Sequence, residues 1–159
     1  MKRYHFIAIG GSAMHSLAIA LKENGDQISG SDDAIFDPSK TQLLKAAIYP
    51  EKMGWHPEKI STDLDAVILG MHAKADNPEL ITDQSLGLKN YSYPEFIAHF
   101  SKRKTRVVIA GSHGKTTISA MVLHVLKYHD RSVDFMLGAQ LDGYNNSVSL
   151  TDKNDFILL

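Results

Sequence analysis

The chain has 159 residues, of which 43% are hydrophobic and 22% are charged, with 17 basic and 18 acidic side chains. This composition is typical of a globular protein and gives no charge excess that would attract nucleic acid or an anionic membrane. The absence of cysteine excludes disulfide scaffolds, cysteine-ligated metal centres and thiol catalysis. No apolar run approaches the roughly 20 residues of a membrane helix. We therefore expect a soluble, cytoplasmic protein with one domain or slightly more.

The first 30 residues alternate between strand and helix patterns. Residues 4–9 are apolar and aromatic and end at two glycines, which predicts a buried strand that runs into a tight turn. Apolar residues then recur at helical spacing as far as Asn24 and Gly25, and residues 27–30 form a second short strand. This order makes a parallel βαβ unit, so the sequence predicts an α/β fold.

The alternation continues to residue 100 and then restarts. The predicted elements are a helix over 39–47, a strand over 66–69, a helix over 78–86, a strand over 90–93 and a helix over 94–100. After a basic stretch they are a strand over 107–110, a helix over 115–128 and strands over 133–137 and 156–159. Two methionines on apolar helix faces, Met14 and Met121, are expected in the core.

The basic stretch suggests how the chain is divided. Because it contains no interleaved aromatic residues, we interpret 101–105 as a solvated linker rather than a nucleic-acid site. Residues 1–100 are then a first domain and residues 106–159 the beginning of a second. A stable domain rarely ends on an uncovered apolar strand, so we expect the chain to be an N-terminal fragment.

The most specific motif lies between the predicted strand and helix of the second domain. It reads Gly111-Ser112-His113-Gly114-Lys115-Thr116-Thr117. Glycines let backbone N–H groups turn toward a phosphate, and the helix N-terminus adds partial positive charge. We expect Lys115 to reach the terminal phosphates of ATP and the Thr116 hydroxyl to ligate Mg²⁺. The strict P-loop pattern is broken only at its first glycine position, which Ile109 occupies.

The first turn, Ala8 to Ala13, is a degraded form of the dinucleotide-binding pattern, since alanine stands at both outer glycine positions. Asp32 follows about 20 residues later, where an acidic residue often meets a ribose hydroxyl. Alone, this pattern indicates either a nucleotide-like ligand or merely a small-residue turn that allows close packing. The eight histidines include no pair at metal-binding helical spacing.

The two nucleotide-type turns together resemble the Mur ligases of peptidoglycan synthesis along the whole chain. Three further segments carry the resemblance: the first strand and turn over 5–14, Ser29-Gly30-Ser31-Asp32, and Asp76-Asn77-Pro78-Glu79. The loop over 111–117 differs from the family's G-T-H-G-K-T-T only by Ser112. Its histidine and the N-terminal segment indicate the branch that uses UDP-N-acetylmuramate.

The resemblance implies a Rossmann-like parallel-sheet domain for the UDP-sugar, followed by the start of a P-loop ATPase-type α/β domain. The implied UDP-sugar residues are Gly10, Gly11, Ser12, Ala13 and Met14 near the pyrophosphate, Ser31 and Asp32 near the nucleoside, and Met71, His72 and Ala73 as a closing loop. The implied ATP residues are Gly111, Ser112, His113, Gly114, Lys115, Thr116 and Thr117, with Lys115 and His113 as catalytic residues and Thr116 on Mg²⁺.

The implied reaction is phosphorylation of the lactyl carboxylate by ATP and Mg²⁺, followed by attack of an amine on the acyl phosphate. The partners are then UDP-N-acetylmuramate and an amino acid or peptide, without nucleic acid or membrane insertion. The family's acidic Mg²⁺ ligand, carbamylated lysine and amine-binding domain have no counterpart in these 159 residues. We therefore expect this fragment to be inactive by itself.

Two amine substrates are open within this branch: L-alanine, and the tripeptide L-alanyl-γ-D-glutamyl-meso-diaminopimelate used in recycling. L-Alanine ligases normally show the pattern G-x-G-G-x-G-M in the first turn. They also carry Ser-Ser-Ala-Ile after the strand that corresponds to residues 66–69 here. Here alanines replace the outer glycines and residues 70–73 replace the serines, which favours the tripeptide ligase. Outside this branch, the first turn alone would suit a nicotinamide-dependent oxidoreductase. A non-catalytic nucleotide-sugar-binding module is a further alternative, which would hold if the natural protein stopped at Leu159. Folylpolyglutamate synthases share the ATP loop but lack the first domain.

Overall fold

In the computed structural model, residues 1–71, 73–139, 143–144 and 146–159 are described. The chain forms two units, Met1–Ala98 (unit 1) and His99–Leu159 (unit 2). Both units combine helices with a sheet, which confirms the predicted α/β class.

Unit 1 is built on a four-stranded parallel sheet with the strand order β2-β1-β3-β4. The strands are β1 (Arg3–Ile7), β2 (Gln27–Ser31), β3 (Ala66–Leu69) and β4 (Asn90–Ser92). The helices are α1 (Ser12–Glu23), α2 (Ser39–Lys45), α3 (Pro78–Leu86) and α4 (Tyr93–Phe100), and a 3₁₀ turn covers Pro57–Lys59. The four strands and four helices lie within a few residues of their predicted positions, whereas the 3₁₀ turn was not predicted.

The central strand explains why the apolar runs of unit 1 fold as they do. Strand β1 pairs with β2 at one edge and with β3 at the other, and its consecutive buried residues 4–7 show that both faces of the strand are covered. Phe6, Leu17 and Leu21 are fully buried between the sheet and α1. Helix α3 begins where the Asn77 side chain accepts the backbone N–H groups of residues 79 and 80, at 2.9 and 3.3 Å.

Unit 2 has a mixed four-stranded sheet with the order β5-β8-β6-β7. Its strands are β5 (Thr105–Val107), β6 (Asp134–Met136), β7 (Val148–Ser149) and β8 (Phe156–Leu158), and its helix is α5 (Lys115–Tyr128). Only β6 and β7 are antiparallel. The two-residue β7 was not predicted, because so short a strand leaves no periodic pattern.

The interpretation of 101–105 as a solvated linker is wrong for part of that stretch. Ser101–Arg103 form a 3₁₀ turn, Ser101 is buried and β5 already begins at Thr105. The Lys104 ammonium lies 2.9 Å from Asp134 Oδ2 and donates to the carbonyl oxygens of Thr151 and Asn154 at 2.6 Å. This buried cluster ties the stretch to unit 2, and no local sequence pattern could reveal a partner 30 residues away.

The prediction that Met121 lies in the core is also wrong. Met121 is 64% exposed, and Ile118 and Val125 on the same helix are exposed as well. Leu123, in contrast, is buried in the apolar core cluster of unit 2. Helical periodicity identifies an apolar stripe, but only the tertiary structure decides which face the sheet covers. Met14, in contrast, is buried as expected. Among the described helices, none has the length and apolar character needed to cross a membrane.

Candidate functional sites

A cavity of about 710 Å³ lies in unit 1 beyond the carboxyl ends of the parallel strands. The chain leaves β1 toward β2 on one side of the sheet and later returns to β3 on the other side. Such a switch point is where open parallel sheets place their ligands. The residues that line the cavity include Ala8, Gly10, Gly11, Ser12, Ala13, Met14, Asp32, Asp33, Phe36, Trp55, Gly70, Met71 and Tyr93.

The turn after β1 presents the N-terminus of α1 to this cavity. Gly11 is the N-cap residue, and as a glycine it has no side chain that could cap the first N–H groups of the helix. Unpaired N–H groups at a helix N-terminus favour an anionic ligand group. Gly10 has to be glycine here, since a Cβ would lie 2.8 Å from the Ile35 side chain and 2.9 Å from the Asp32 carboxylate.

Asp32 braces this turn with its carboxylate. Its Oδ2 accepts the Gly10 N–H at 2.7 Å, and the side chain is nearly buried. Burial raises the pKa of Asp32, and the neighbouring Asp33 adds to that rise, while the hydrogen bond from Gly10 opposes it. The Asp33 carboxylate is exposed, lines the cavity and interacts with the Asp32 side chain.

Two predicted residues, Ser31 and Ala73, occupy positions that differ from the expectation. Ser31 is fully buried in β2 and supports the turn through its carbonyl, which accepts the N–H groups of Ala8 and Ile9 at 2.9 and 3.1 Å. Ala73 packs against the core cluster of unit 1 instead of lining the cavity. Met71 lines the cavity and is 93% exposed, as a closing residue requires. His72 lies outside the described residues.

The alanine and glycine that depart from the L-alanine ligase pattern touch each other. Ala8 has a positive φ of 66°, a conformation that favours glycine. A Cβ added to Gly70 would lie 2.9 Å from the Ala8 Cβ and 3.0 Å from the Ile7 carbonyl oxygen. The side chain at position 8 thus uses the space that a side chain at position 70 would need. The two departures are sterically linked at the floor of the cavity.

Three aromatic residues of the cavity lining were not predicted as site residues from the sequence: Phe36, Trp55 and Tyr93. They belong to different loops and helix ends, so no spacing rule connects them. Burial raises the pKa of Tyr93 to about 12, so its phenol stays protonated and can donate a hydrogen bond at neutral pH. A lone tryptophan directly after a glycine in a loop was the one signal available.

The loop over 111–117 occupies its predicted place between β5 and α5 in unit 2. Gly114 has a φ of 77° and is the N-cap of α5, without a side-chain hydrogen bond to the first turn. The Lys115 ammonium lies over the loop and donates to the carbonyl oxygens of Gly111 and Ser112 at 2.6 and 3.3 Å. The loop therefore combines a helix N-terminus with an adjacent cation, the two elements of a phosphate site.

The remaining loop residues are open to solvent apart from Thr116, which is half-buried. His113 Nδ1 lies 3.2 Å from the Ser112 hydroxyl, and the Thr116 hydroxyl lies close to Gly138. Ile109 breaks the strict P-loop pattern because it packs against the core of unit 2. Across the described part of the chain, no three His, Asp or Glu side chains form a metal-binding group. Among the described residues, the loop thus carries the Thr116 hydroxyl with no carboxylate cluster beside it.

Comparison with known proteins gives this geometry a family. The family model described as "Mur ligase family, catalytic domain" matches residues 3–105, which is more than half of the chain. The chain belongs to the Mur ligase family. The resemblance inferred from the sequence motifs is therefore confirmed.

The curated relatives of this Mur ligase chain carry the name UDP-N-acetylmuramate–L-alanine ligase. One from Carboxydothermus hydrogenoformans is 33% identical over 91% of this chain and 31% of its own length. Another from Sulfurihydrogenibium sp. is 36% identical over 99% of this chain and 34% of its own length. The chain thus spans about a third of the length of these relatives.

Solved structures of both ligase types resemble the fold. UDP-N-acetylmuramate:L-alanyl-γ-D-glutamyl-meso-diaminopimelate ligase from Neisseria meningitides matches with a TM-score of 0.82 and 28% identity, covering 99% of this chain and 52% of that one. UDP-N-acetylmuramate–alanine ligase from Thermotoga maritima matches with a TM-score of 0.80 and 26% identity, covering 100% of this chain and 37% of that one. The expected Rossmann-like arrangement of unit 1 agrees with these neighbours.

Proposed function

We propose that the protein to which this chain belongs is a cytoplasmic, ATP-dependent ligase that joins an amino acid or peptide to UDP-N-acetylmuramate. The observation that carries the proposal is the cavity at the switch point of unit 1, with an uncapped helix N-terminus on its wall. A ligand that is both anionic and planar fits an N–H-lined turn beside aromatic side chains. Membership of the Mur ligase family supports a UDP-sugar as that ligand.

The proposed roles in unit 1 follow from the lining of the cavity. The N–H groups after Gly11 would hold the pyrophosphate, and Asp33 would accept a hydrogen bond from a sugar or ribose hydroxyl. Asp32 would act indirectly, because its carboxylate fixes the turn through Gly10. Met71, at the rim, would restrict the access of water once the cavity is filled.

The proposed roles in unit 2 centre on the loop over 111–117. Its N–H groups and Lys115 would stabilise negative charge on the phosphoryl group that passes to the lactyl carboxylate. Lys115 would exchange its two loop carbonyls for phosphate oxygens. His113, which is exposed beside Ser112, stays a predicted phosphate contact. The Thr116 hydroxyl would help to hold Mg²⁺, which when bound would supply positive charge that neutralises the phosphates.

For the amine substrate, the names of the curated relatives favour L-alanine over the tripeptide that the sequence motifs suggested. The tripeptide ligase remains the second candidate, because the linked pair Ala8 and Gly70 departs from the L-alanine ligase pattern and a tripeptide ligase is among the structural neighbours. A ligation assay on the full-length gene product, with L-alanine and the tripeptide supplied separately, decides between them.

The sugar-nucleotide proposal can be tested on the 159-residue chain by thermal shift with UDP-N-acetylmuramate, NADH and ATP with Mg²⁺. A ligand present at 100 times its dissociation constant stabilises the folded state by about 2.7 kcal/mol. We expect stabilisation by UDP-N-acetylmuramate and not by NADH. Stabilisation by NADH alone would contradict the proposal and favour an oxidoreductase.

A pair of variants at Ser12, one charged and one neutral, tests whether the ligand group at this helix N-terminus is anionic. Ser12 is exposed in the first turn of α1, so Ser12→Glu places a carboxylate beside the proposed pyrophosphate position. An acidic residue at a helix N-terminus favours the helix itself, so we expect a folded variant that loses ligand stabilisation. Ser12→Gln adds the same bulk without charge and should lose much less.

A further inference from the structure

The single tryptophan of the chain lies on the cavity wall of unit 1, held by hydrogen bonds on both sides. On the N-terminal side, the Gly54 N–H donates to the Asp32 carbonyl at 2.7 Å, within an isolated antiparallel bridge. On the C-terminal side, the His56 N–H donates to Glu79 Oε1 at 2.6 Å. The backbone at Trp55 is therefore anchored to the end of β2 and to the first turn of α3.

The anchor on the α3 side is an unusual buried charge. Glu79 is fully buried, and its second oxygen, Oε2, lies 3.3 Å from Nε2 of His5, which is also fully buried in β1. His5 Nδ1 is in turn 2.9 Å from the Ser29 hydroxyl. Burying a carboxylate is costly unless its oxygens are occupied. Here one oxygen is used to hold the loop that carries the tryptophan.

The indole itself is half-buried, with one part packed against the core cluster that includes Ile7, Ile60 and Leu80, and another part on the cavity wall. It sits beside Asp32 and Asp33, at the end of the second strand, which is the nucleoside side of a Rossmann-like site. A fixed aromatic face can stack on a planar base without further ordering.

We infer that Trp55 is a specificity-determining residue that packs against the base of the sugar nucleotide, and that Glu79 is a positioning residue that holds Trp55 in place. The inference rests on the proposed function and deepens it by naming the nucleoside as the part that this wall recognises. The chemistry predicts selectivity for a ligand with a planar base over the same phosphates without one.

Because Trp55 is the only tryptophan, its emission reports on this wall directly. The test titrates the 159-residue chain with UDP-N-acetylmuramate, UDP, uridine and inorganic pyrophosphate. We expect a change of tryptophan emission with the first three ligands and none with pyrophosphate. Binding of UDP-N-acetylmuramate without any change of emission would overturn the inference while leaving the proposed function intact. Absence of binding of every uridine ligand would overturn both.

Variants measured by calorimetry complete the test. Because Trp55→Ala removes the stacking aromatic side chain, we expect this variant to bind UDP about tenfold to a hundredfold more weakly. Trp55→Phe keeps an aromatic face and should recover most of that loss, which separates stacking from misfolding. The control is Tyr128→Ala, an aromatic-to-alanine change at an exposed position in unit 2. Equal affinity of Trp55→Ala and the unsubstituted chain would overturn the inference.

The positioning role of Glu79 has its own readout. Glu79→Ala removes the acceptor of the His56 N–H and should raise the mobility of the indole, seen as lower fluorescence anisotropy, together with weaker UDP binding. Glu79→Gln keeps an oxygen acceptor and should restore anisotropy and affinity toward their original values. Weaker binding in both variants with unchanged anisotropy would show a structural role only and would overturn the assignment of Glu79.

Discussion

At the scale of single residues, Ala8 and Gly70 show how a side chain in a left-handed conformation can be accommodated in a tightly packed turn. Ala8 keeps a left-handed backbone at φ 66°, which costs an L-residue about 1–2 kcal/mol. Its methyl group fills the space above Gly70. A glycine at position 8 would remove the strain and also free that space, so the two positions are expected to change together.

This coupling predicts the result of a double-mutant cycle. Ala8→Gly should stabilise unit 1 by about 0.5–1 kcal/mol, since the relief of strain exceeds the gain of freedom in the unfolded chain. Gly70→Ser should destabilise it by about 1–3 kcal/mol alone, and by less when combined with Ala8→Gly. Urea unfolding followed by the emission of Trp55 measures both effects.

Ala47 provides the control for that cycle, because it also has a positive φ, of 54°, but lines a different cavity of unit 1. Ala47→Gly should be stabilising as well, yet its effect should simply add to that of Gly70→Ser. If the pairs at 8 and 47 behave alike toward Gly70→Ser, the steric link between Ala8 and Gly70 is refuted.

At the scale of secondary-structure elements, Glu79 links α3 to β1 and makes stability depend on pH. Burial by itself would raise the pKa of the Glu79 carboxyl. The hydrogen bonds from His5 and from the His56 N–H lower that pKa by more than burial raises it, so the pKa lies below the usual 4.5. The folded state thus prefers the ionised form. The stability from this preference is present above pH 4.5 and is lost as the pH falls through the lower folded pKa.

We therefore expect the free energy of unfolding of the unsubstituted chain to exceed that of Glu79→Gln most at pH 6–7. The difference should shrink steadily as the pH falls below about 4.5. Urea unfolding across that pH range measures it, with the exposed Glu23→Gln as the control for losing one carboxylate. A difference that is constant with pH would contradict the assigned direction of the Glu79 pKa shift.

In unit 2, the ion pair of Lys104 and Asp134 links separate elements as Glu79 does in unit 1. It joins the residue before β5 to β6 and to the loop after Leu150. Asp134 is fully buried and also accepts hydrogen bonds from Thr151 and Asn154. Lys104→Ala would leave this charge without its cation. Such a change typically destabilises a protein by about 3–5 kcal/mol.

Far-ultraviolet circular dichroism during urea unfolding should show that loss in the transition of unit 2. The matched control is Lys102→Ala, which removes an exposed cation two residues earlier and should change stability by less than about 0.5 kcal/mol. If Lys102→Ala proved as damaging as Lys104→Ala, the effect would come from the net charge of the basic stretch and not from the buried pair.

At the scale of the whole molecule, the chain consists of two units with separate sheets and separate apolar cores. The buried apolar residues of unit 1 lie mainly on β1, β3, α1, α3 and α4, all of which are contained in residues 1–100. A polypeptide of residues 1–100 should therefore fold by itself, with a cooperative unfolding transition of Trp55 emission and retained affinity for UDP-N-acetylmuramate. An isolated unit 1 without such a transition would show that its core depends on unit 2.

The sequence by itself determined the order of the elements, the α/β class and both nucleotide-type turns. These features follow from local rules: apolar runs bounded by glycine, helical spacing from Ser12 onward, and a glycine-rich loop before Lys115. The Mur ligase resemblance depended on local segments of the same kind, and the family match over residues 3–105 confirms it.

Only the tertiary structure decided which residues meet across long stretches of sequence. It placed Trp55 and Tyr93 on one cavity wall, turned Asp32 inward onto Gly10, and paired Lys104 with Asp134. It also showed that the covered face of α5 contains Leu123 and not Met121. The physical reason is that periodicity records the conformation of a segment, whereas partners depend on how separate segments pack in three dimensions.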